Sequence, residues 1–135
     1  MPMKLTALFL FFVSVAFCDV AKISPKEAAQ LVAEGKAILI DVREPKEWQQ
    51  TGVAEPARLL SKSDFEGDQK DWKPFLANAG DKRLILYCHS GRRAGVVANA
   101  LADRGHAVAN AGGLADWKAA GLPIRQEKPP AAKSP

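Results

Sequence analysis

Short apolar runs alternate with stretches of helical spacing, and that alternation restricts the architecture of this chain more than any other feature. Ala37-Ile38-Leu39-Ile40 and Arg83-Leu84-Ile85-Leu86-Tyr87 are apolar almost without interruption. Continuous apolarity of this kind suits strands covered on both faces, as in a parallel sheet. Ser24-Pro25-Lys26-Glu27 has the form of a capping box with Pro at the first helical position. It opens a helix that carries Ala28, Leu31 and Val32 and stops near Gly35. Asp41-Val42-Arg43-Glu44-Pro45 breaks the first apolar run. A short helix is expected over 46–50 up to Gly52, a brief strand at Arg58-Leu59-Leu60, and a helical patch over 71–79 despite Pro74. Residues 92–104 read as a helix that buries Val96, Val97, Ala100 and Leu101 and is capped by Gly105. His106-Ala107-Val108-Ala109 reads as a further strand, Gly112-Gly113 as a turn, and 114–119 as a last helix ended by Gly121. Strands alternating with helices predict a layered α/β fold whose central sheet is mostly parallel and flanked by helices.

The two ends have a different character. Lys4 is the only charge before Asp19, and residues 5–17 are mainly apolar. A short basic segment before such a run is the pattern of a signal peptide, expected over 1–18 with cleavage as late as 21. The run falls short of the roughly 20 residues that span a bilayer, so no permanent membrane span is expected. Export to the periplasm is the expected localisation. A lipid anchor on Cys18 is the alternative, disfavoured by the bulky Phe17 before it. Residues 126–135, rich in Pro, Lys and Ala, have little to bury and are expected to form a disordered tail. What is left, 22–125, is enough for one small domain.

The formal charge is +4, but Lys and Arg are spread among Asp and Glu with no basic stripe, which excludes nucleic acid as the expected partner. A modest positive potential suits a small anionic substrate. Two His and one Cys far apart in sequence form no recognisable metal-ligand set. No Gly-rich dinucleotide turn is present, so no organic cofactor is expected either. With Cys18 removed in a leader, Cys88 is the remaining thiol. In an oxidising compartment a lone thiol is either buried and inert or kept for its reactivity.

Tyr87-Cys88-His89-Ser90-Gly91-Arg92-Arg93-Ala94 carries the chemistry. It joins a buried strand to the start of a helix, and in parallel sheets ligands sit at that carboxyl end of the strands. Taken alone, a Cys at a strand end is more often a structural thiol. Here Gly91 allows a left-handed or crowded turn, so that successive N–H groups can point inward as a nest backed by the positive end of the helix. Such a cradle binds anions and favours thiolate over thiol. Arg92 and Arg93 offer guanidinium groups to an incoming oxyanion. His89 reads as a specificity residue at best, and His106 carries no functional signal.

Three segments together resemble the rhodanese family over about residues 22–125. Asp41-Val42-Arg43-Glu44-Pro45-Lys46-Glu47-Trp48 is similar to its "DVR-x-x-x-E-aromatic" signature. Residues 87–93 are similar to its active-site loop, and Asn110-Ala111-Gly112-Gly113-Leu114-Ala115-Asp116-Trp117 to its closing "GG-x-x-x-W" motif, followed by Gly121-Leu122-Pro123. The resemblance implies a three-layer rhodanese fold and a sulfurtransferase that carries a sulfane sulfur on Cys88 as a persulfide. His89, Ser90, Gly91, Arg92 and Arg93 would form the substrate cradle, with Arg93 at the position where many members place a binding cation. Asp41 and Arg43 would be a structural pair supporting the loop, and Trp117 a core residue. The implied partners are a small anionic donor such as thiosulfate and a thiophilic acceptor, with a protein among the candidates. One stretch departs from the pattern. Gly52-Val53-Ala54-Glu55-Pro56-Ala57 stands where the family has Gly-His-Ile and then Gly-Ala, so the His is missing.

Two other readings use the same loop. A cysteine phosphatase or arsenate reductase of this fold has Arg six positions after the Cys, but here that position is Ala94 and the loop is one residue tighter. A non-catalytic module of the same family would bind partners, but such modules commonly lose the nucleophile that Cys88 retains.

Overall fold

The second apolar run becomes the central strand. In the computed structural model, which describes residues 20–129, β4 (Arg83–Cys88) pairs in parallel with β1 (Ala37–Asp41) on one side and β5 (Val108–Gly113) on the other. β3 (Arg58–Leu59) lies beyond β1, so the order is β3-β1-β4-β5, all parallel. Pairing continues one step past β5: Ile23 N donates to Asn110 O at 3.0 Å and Asn110 N to Ala21 O at 2.9 Å.

Successive side chains of a strand point to opposite faces. β4 therefore sends Leu84, Leu86 and Cys88 into one core and Ile85 and Tyr87 into the other. The first core is closed by α3 (Lys62–Glu66), α4 (Trp72–Asn78) and α5 (Arg92–Asp103), through Phe65, Trp72, Val97, Ala98 and Leu101. The second is closed by α1 (Pro25–Ala33) and α6 (Leu114–Ala119), through Ala28, Leu114 and Trp117. Both faces of β1 and β4 are thus covered, which explains why their sequences show no polar alternation. This is the three-layer α/β fold with a parallel central sheet that the sequence predicts. α1 begins at Pro25 as expected and Ser24 Oγ accepts the Glu27 N–H at 3.2 Å, but the return bond from the Glu27 side chain that would complete a capping box is not formed.

Two expectations are corrected. Val96 lies on the solvent side of α5, 51% exposed. The buried stripe is Ala94, Val97, Ala98 and Leu101, spaced i, i+3, i+4, i+7. Its phase is set by a small residue at the start, Ala94, which carries little hydrophobic weight in a sequence. Gly112 and Gly113 are not a turn but the last two residues of β5, and Gly113 pairs with Cys88 across a register shift.

The segment at 52–62 is held by other means than a histidine. β2 (Val53–Ala54) pairs antiparallel with β6 (Ile124–Arg125). The Ala54 N–H donates to Tyr87 Oη at 2.9 Å, tying this ribbon to the central strand beside Cys88. Arg125 clamps it from the far side, donating to the carbonyls of Glu55 at 2.5 Å and Ala57 at 3.3 Å. Val53, Ala54 and Ala57 are buried as a result. The expected leader over 1–18 lies outside the described residues, as does residue 130 onward of the expected tail.

Candidate active site

The sulfur sits where β4 stops. Cys88 is fully buried, on the face that carries Leu84 and Leu86, and the chain then turns through exposed His89 and Ser90. Gly91 takes a left-handed conformation, φ 96°, and its N–H donates to Cys88 Sγ at 3.0 Å. A side chain at Gly91 would be strained twice, because that region of φ disfavours a Cβ and the Cβ would come 3.2 Å from Gly112 Cα. α5 starts at Arg92, so its first-turn amides, which have no partner within the helix, and the positive end of its dipole face the loop. β5 walls the loop on the other side. A Cβ on Gly113 would overlap the His89 carbonyl oxygen, so the loop backbone can lie against β5 only because that position is glycine.

Two ion pairs frame the loop. Asp41 and Arg43, both buried, face each other with Arg43 Nε 3.0 and 3.1 Å from the two carboxylate oxygens and Nη2 2.8 Å from Oδ2. Arg43 also donates to Thr51 Oγ1 and to Gly52 O, both at 2.8 Å. These bonds hold the end of α2 (Pro45–Thr51) against the end of β1, next to the Tyr87 peptide whose oxygen accepts the Val42 N–H at 3.1 Å. Burial works against the Arg43 charge, but the hydrogen bond and negative charge of Asp41 more than offset it and raise its pKa. The second pair joins α2 to the loop: Arg93 Nη1 and Nη2 donate to the two Glu47 oxygens at 2.7 and 2.8 Å. Glu47 Oε2 also accepts the Glu44 N–H at 2.9 Å.

A family model described as the rhodanese-like domain matches residues 24–120. The chain belongs to the rhodanese-like domain family. An uncharacterized protein of Synechocystis sp. is 35% identical to this rhodanese-like chain over 108 residues, 78% of this chain. The chain spans only 56% of that relative's length. Among solved structures, the polysulfide-sulfur transferase homodimer of Wolinella succinogenes is similar, with 29% identity and a TM-score of 0.64, over 81% of this chain and 80% of that one. A rhodanese-related protein of Thermoplasma volcanium shares the fold at 22% identity and a TM-score of 0.65, over 79% of this chain and 99% of that one. So does a Rhodopseudomonas palustris protein described as a possible tyrosine phosphatase, at 23% identity and 0.65, over 78% and 85%.

The rhodanese loop brings Cys88, His89, Ser90, Gly91, Arg92 and Arg93 together, but it does not offer the two arginines equally. Arg93 is occupied by Glu47, whereas Arg92 is exposed and lines an open groove of about 630 Å³. That groove runs along the outer side of the loop between Lys22, Ser90, Asn110 and Asp116, and Cys88 is not among its lining residues. Sequence reasoning gave no role to Glu47 or Asn110. Glu47 stands in a recognisable signature, but nothing local reports a partner 46 positions away. Among the described residues, no group of three or more His, Cys, Asp and Glu is placed to hold a metal ion.

The Glu47–Arg93 pair has a pH signature. The Arg93 hydrogen bond, working against partial burial, brings the Glu47 carboxyl down to about 2. A depressed folded-state pKa contributes stability that is present above the unfolded value, about 4.3, and lost as pH falls through the folded value. Glu47→Gln should therefore lower the melting temperature by a few degrees near neutral pH. The difference from the parent should shrink as pH is lowered from about 5 toward about 2, measured by thermal unfolding across that window.

Proposed function

We propose that this rhodanese-like chain is a sulfurtransferase that carries a sulfane sulfur on Cys88. The observation that carries the reading is the Gly91 N–H aimed at Cys88 Sγ at 3.0 Å, at the mouth of α5. Amides so placed stabilise an anion on the sulfur, and both the attacking thiolate and the persulfide that replaces it are anions. The thiolate attacks the outer sulfur of thiosulfate or a similar donor. The donor's S–S bond breaks with its electron pair leaving on sulfite, and a new S–S bond forms on Cys88. A thiophilic acceptor, small or protein, then attacks the terminal sulfur and the Cys88 thiolate leaves. The two half-reactions make a ping-pong cycle with no net change at the enzyme. Ala94, six positions after the nucleophile, is buried in the core with no cation in its place, which disfavours a phosphate ester as substrate.

Intact mass before and after incubation with thiosulfate tests the reading. The expected result is a gain of one sulfur atom, removed by cyanide. No gain from thiosulfate or from a panel of persulfide donors would make the chain a binding module.

Of the two loop arginines, Arg92 and not Arg93 is free to meet an anionic donor. Arg92→Ala should raise KM for thiosulfate by up to about fivefold with little change in kcat, the size expected for one exposed charge contact. Arg93→Ala should act mainly through the loss of the Glu47 contact, lowering stability. Steady-state kinetics on both variants check the assignment, and a larger KM effect at Arg93 would reverse it. The setting we propose is the periplasm, supported by the basic-then-apolar pattern of residues 4–17.

A further inference from the structure

Asn110 occupies a position from which one side chain sets the backbone at the sulfur. On β5, Ala109 and Ala111 point into the core under α1 and α6, so Asn110 between them points to the opposite face, toward α5 and the loop. Its Nδ2 donates to Gly91 O at 2.8 Å, and its Oδ1 accepts the Gly112 N–H at 2.9 Å. The Gly112 donor fixes which way round the amide lies, leaving its NH₂ for Gly91. The sheet does not need this side chain, because the Asn110 main chain already pairs with Ala21 and Ile23.

Gly91 is the residue that needs holding. Its N–H points at Cys88 Sγ, and its carbonyl, at the other end of the same residue, takes both the Asn110 amide at 2.8 Å and the Gly95 N–H at 2.9 Å. Only two soft torsions separate that N–H from that carbonyl. Glycine visits left-handed and right-handed regions with similar ease, so nothing in Gly91 itself keeps φ at 96°. We propose that Asn110 is a positioning residue for the reaction at Cys88. By clamping the Gly91 carbonyl it holds the left-handed turn, and so keeps the Gly91 N–H on the sulfur when the sulfur is anionic. The inference rests on the reading of Cys88 as a reactive thiol, and it assigns a task to a residue outside the loop.

Two variants test it. Asn110→Ala removes both hydrogen bonds. Asn110→Asp, nearly the same shape, keeps an acceptor for Gly112 but has no donor for Gly91. Three quantities are read on each: melting temperature, the rate of Cys88 alkylation by iodoacetamide at neutral pH, and kcat and KM with thiosulfate. Both variants should remain folded, and alkylation and kcat should fall about tenfold, the order of a lost hydrogen bond to a charged group. KM for thiosulfate should stay within about twofold, because the donor's oxyanion is not what Gly91 holds. A purely structural role would lower the melting temperature and leave alkylation of the folded protein at the parental rate. That result in either variant overturns the proposal, as would parental kcat in Asn110→Asp. Should Asn110→Ala fail to fold, Asn110→Asp carries the comparison. Alkylation needs no sulfur donor, so slowed alkylation in a parent that never accepts sulfur would uphold the positioning role while removing the sulfurtransferase reading.

Discussion

Cys88→Ser should give a folded protein that takes up no sulfur. The substitution is close to isosteric, and the hydroxyl can accept the Gly91 N–H that the sulfur accepts at 3.0 Å. Cys88 is fully buried beside Leu86 and Ala94, so a hydroxyl there carries a desolvation cost of about 1–3 kcal/mol, at the low end when its hydrogen bond is made. A domain of this size withstands that. Sulfur transfer is affected far more, because a serine hydroxyl is a weak nucleophile without an activating base, and among the described residues the side chain at 88 is hydrogen-bonded by the Gly91 N–H and not by a base. Intact mass after exposure to thiosulfate should show no added sulfur, and sulfur transfer should fall to background. The measurement belongs in a Cys18→Ala background, since the chain has two cysteines and only Cys88 lies in the domain. Continued sulfur uptake there would remove Cys88 from its assigned role. Loss of uptake together with loss of the native melting transition would instead make Cys88 a core residue first.

The parts of this molecule legible in its sequence are those dictated by local rules. β1 and β4 were readable because a strand covered on both faces must be apolar along its length. α1 was readable from Ser24 and Pro25, whose effects on a helix start act within one turn. The loop was readable because strand, Cys88, Gly91 and two arginines lie within a few positions. Relations between distant residues were hidden. Arg93 reads as a free cation until α2 brings Glu47 to it, and the missing histidine after Gly52 reads as a defect until Tyr87 and Arg125 hold the segment. Gly112-Gly113 shows the limit most plainly. Paired glycines are a turn signal by local propensity, yet here they end a strand, Gly113 because the His89 carbonyl lies where its Cβ would stand and Gly112 because it takes a left-handed φ of 84°. Steric need at a contact leaves the same letter in the sequence as conformational freedom at a turn.

Arg43→Ala should be the most damaging single change to the fold. Arg43 and Asp41 are 1% and 0% exposed as side chains, so the substitution leaves a buried carboxylate without its counter-charge, held by the main-chain N–H of residue 43. Removing one partner of a buried pair costs about 3–5 kcal/mol, comparable with the lower end of the 5–15 kcal/mol that separates a native domain from its unfolded state. The damage also spreads by a specific route. The bonds to Thr51 Oγ1 and Gly52 O are lost with the guanidinium, which releases the end of α2, and α2 is the element that carries Glu47 to Arg93. The chain should therefore be largely unfolded near 37 °C by circular dichroism, or melt at much lower temperature than the parent. Arg43→Lys should rescue it poorly, since an ammonium cannot span both carboxylate oxygens, Thr51 and Gly52 at once. A double replacement, Asp41→Leu with Arg43→Met, separates the two contributions. Replacing a buried pair by apolar residues of similar volume is often neutral or stabilising. If the cost of Arg43→Ala is mainly the stranded charge, the double variant should recover most of the melting temperature. If it melts as low as Arg43→Ala, the pair matters through α2, and the loop around Cys88 depends on a contact that no apolar core can replace.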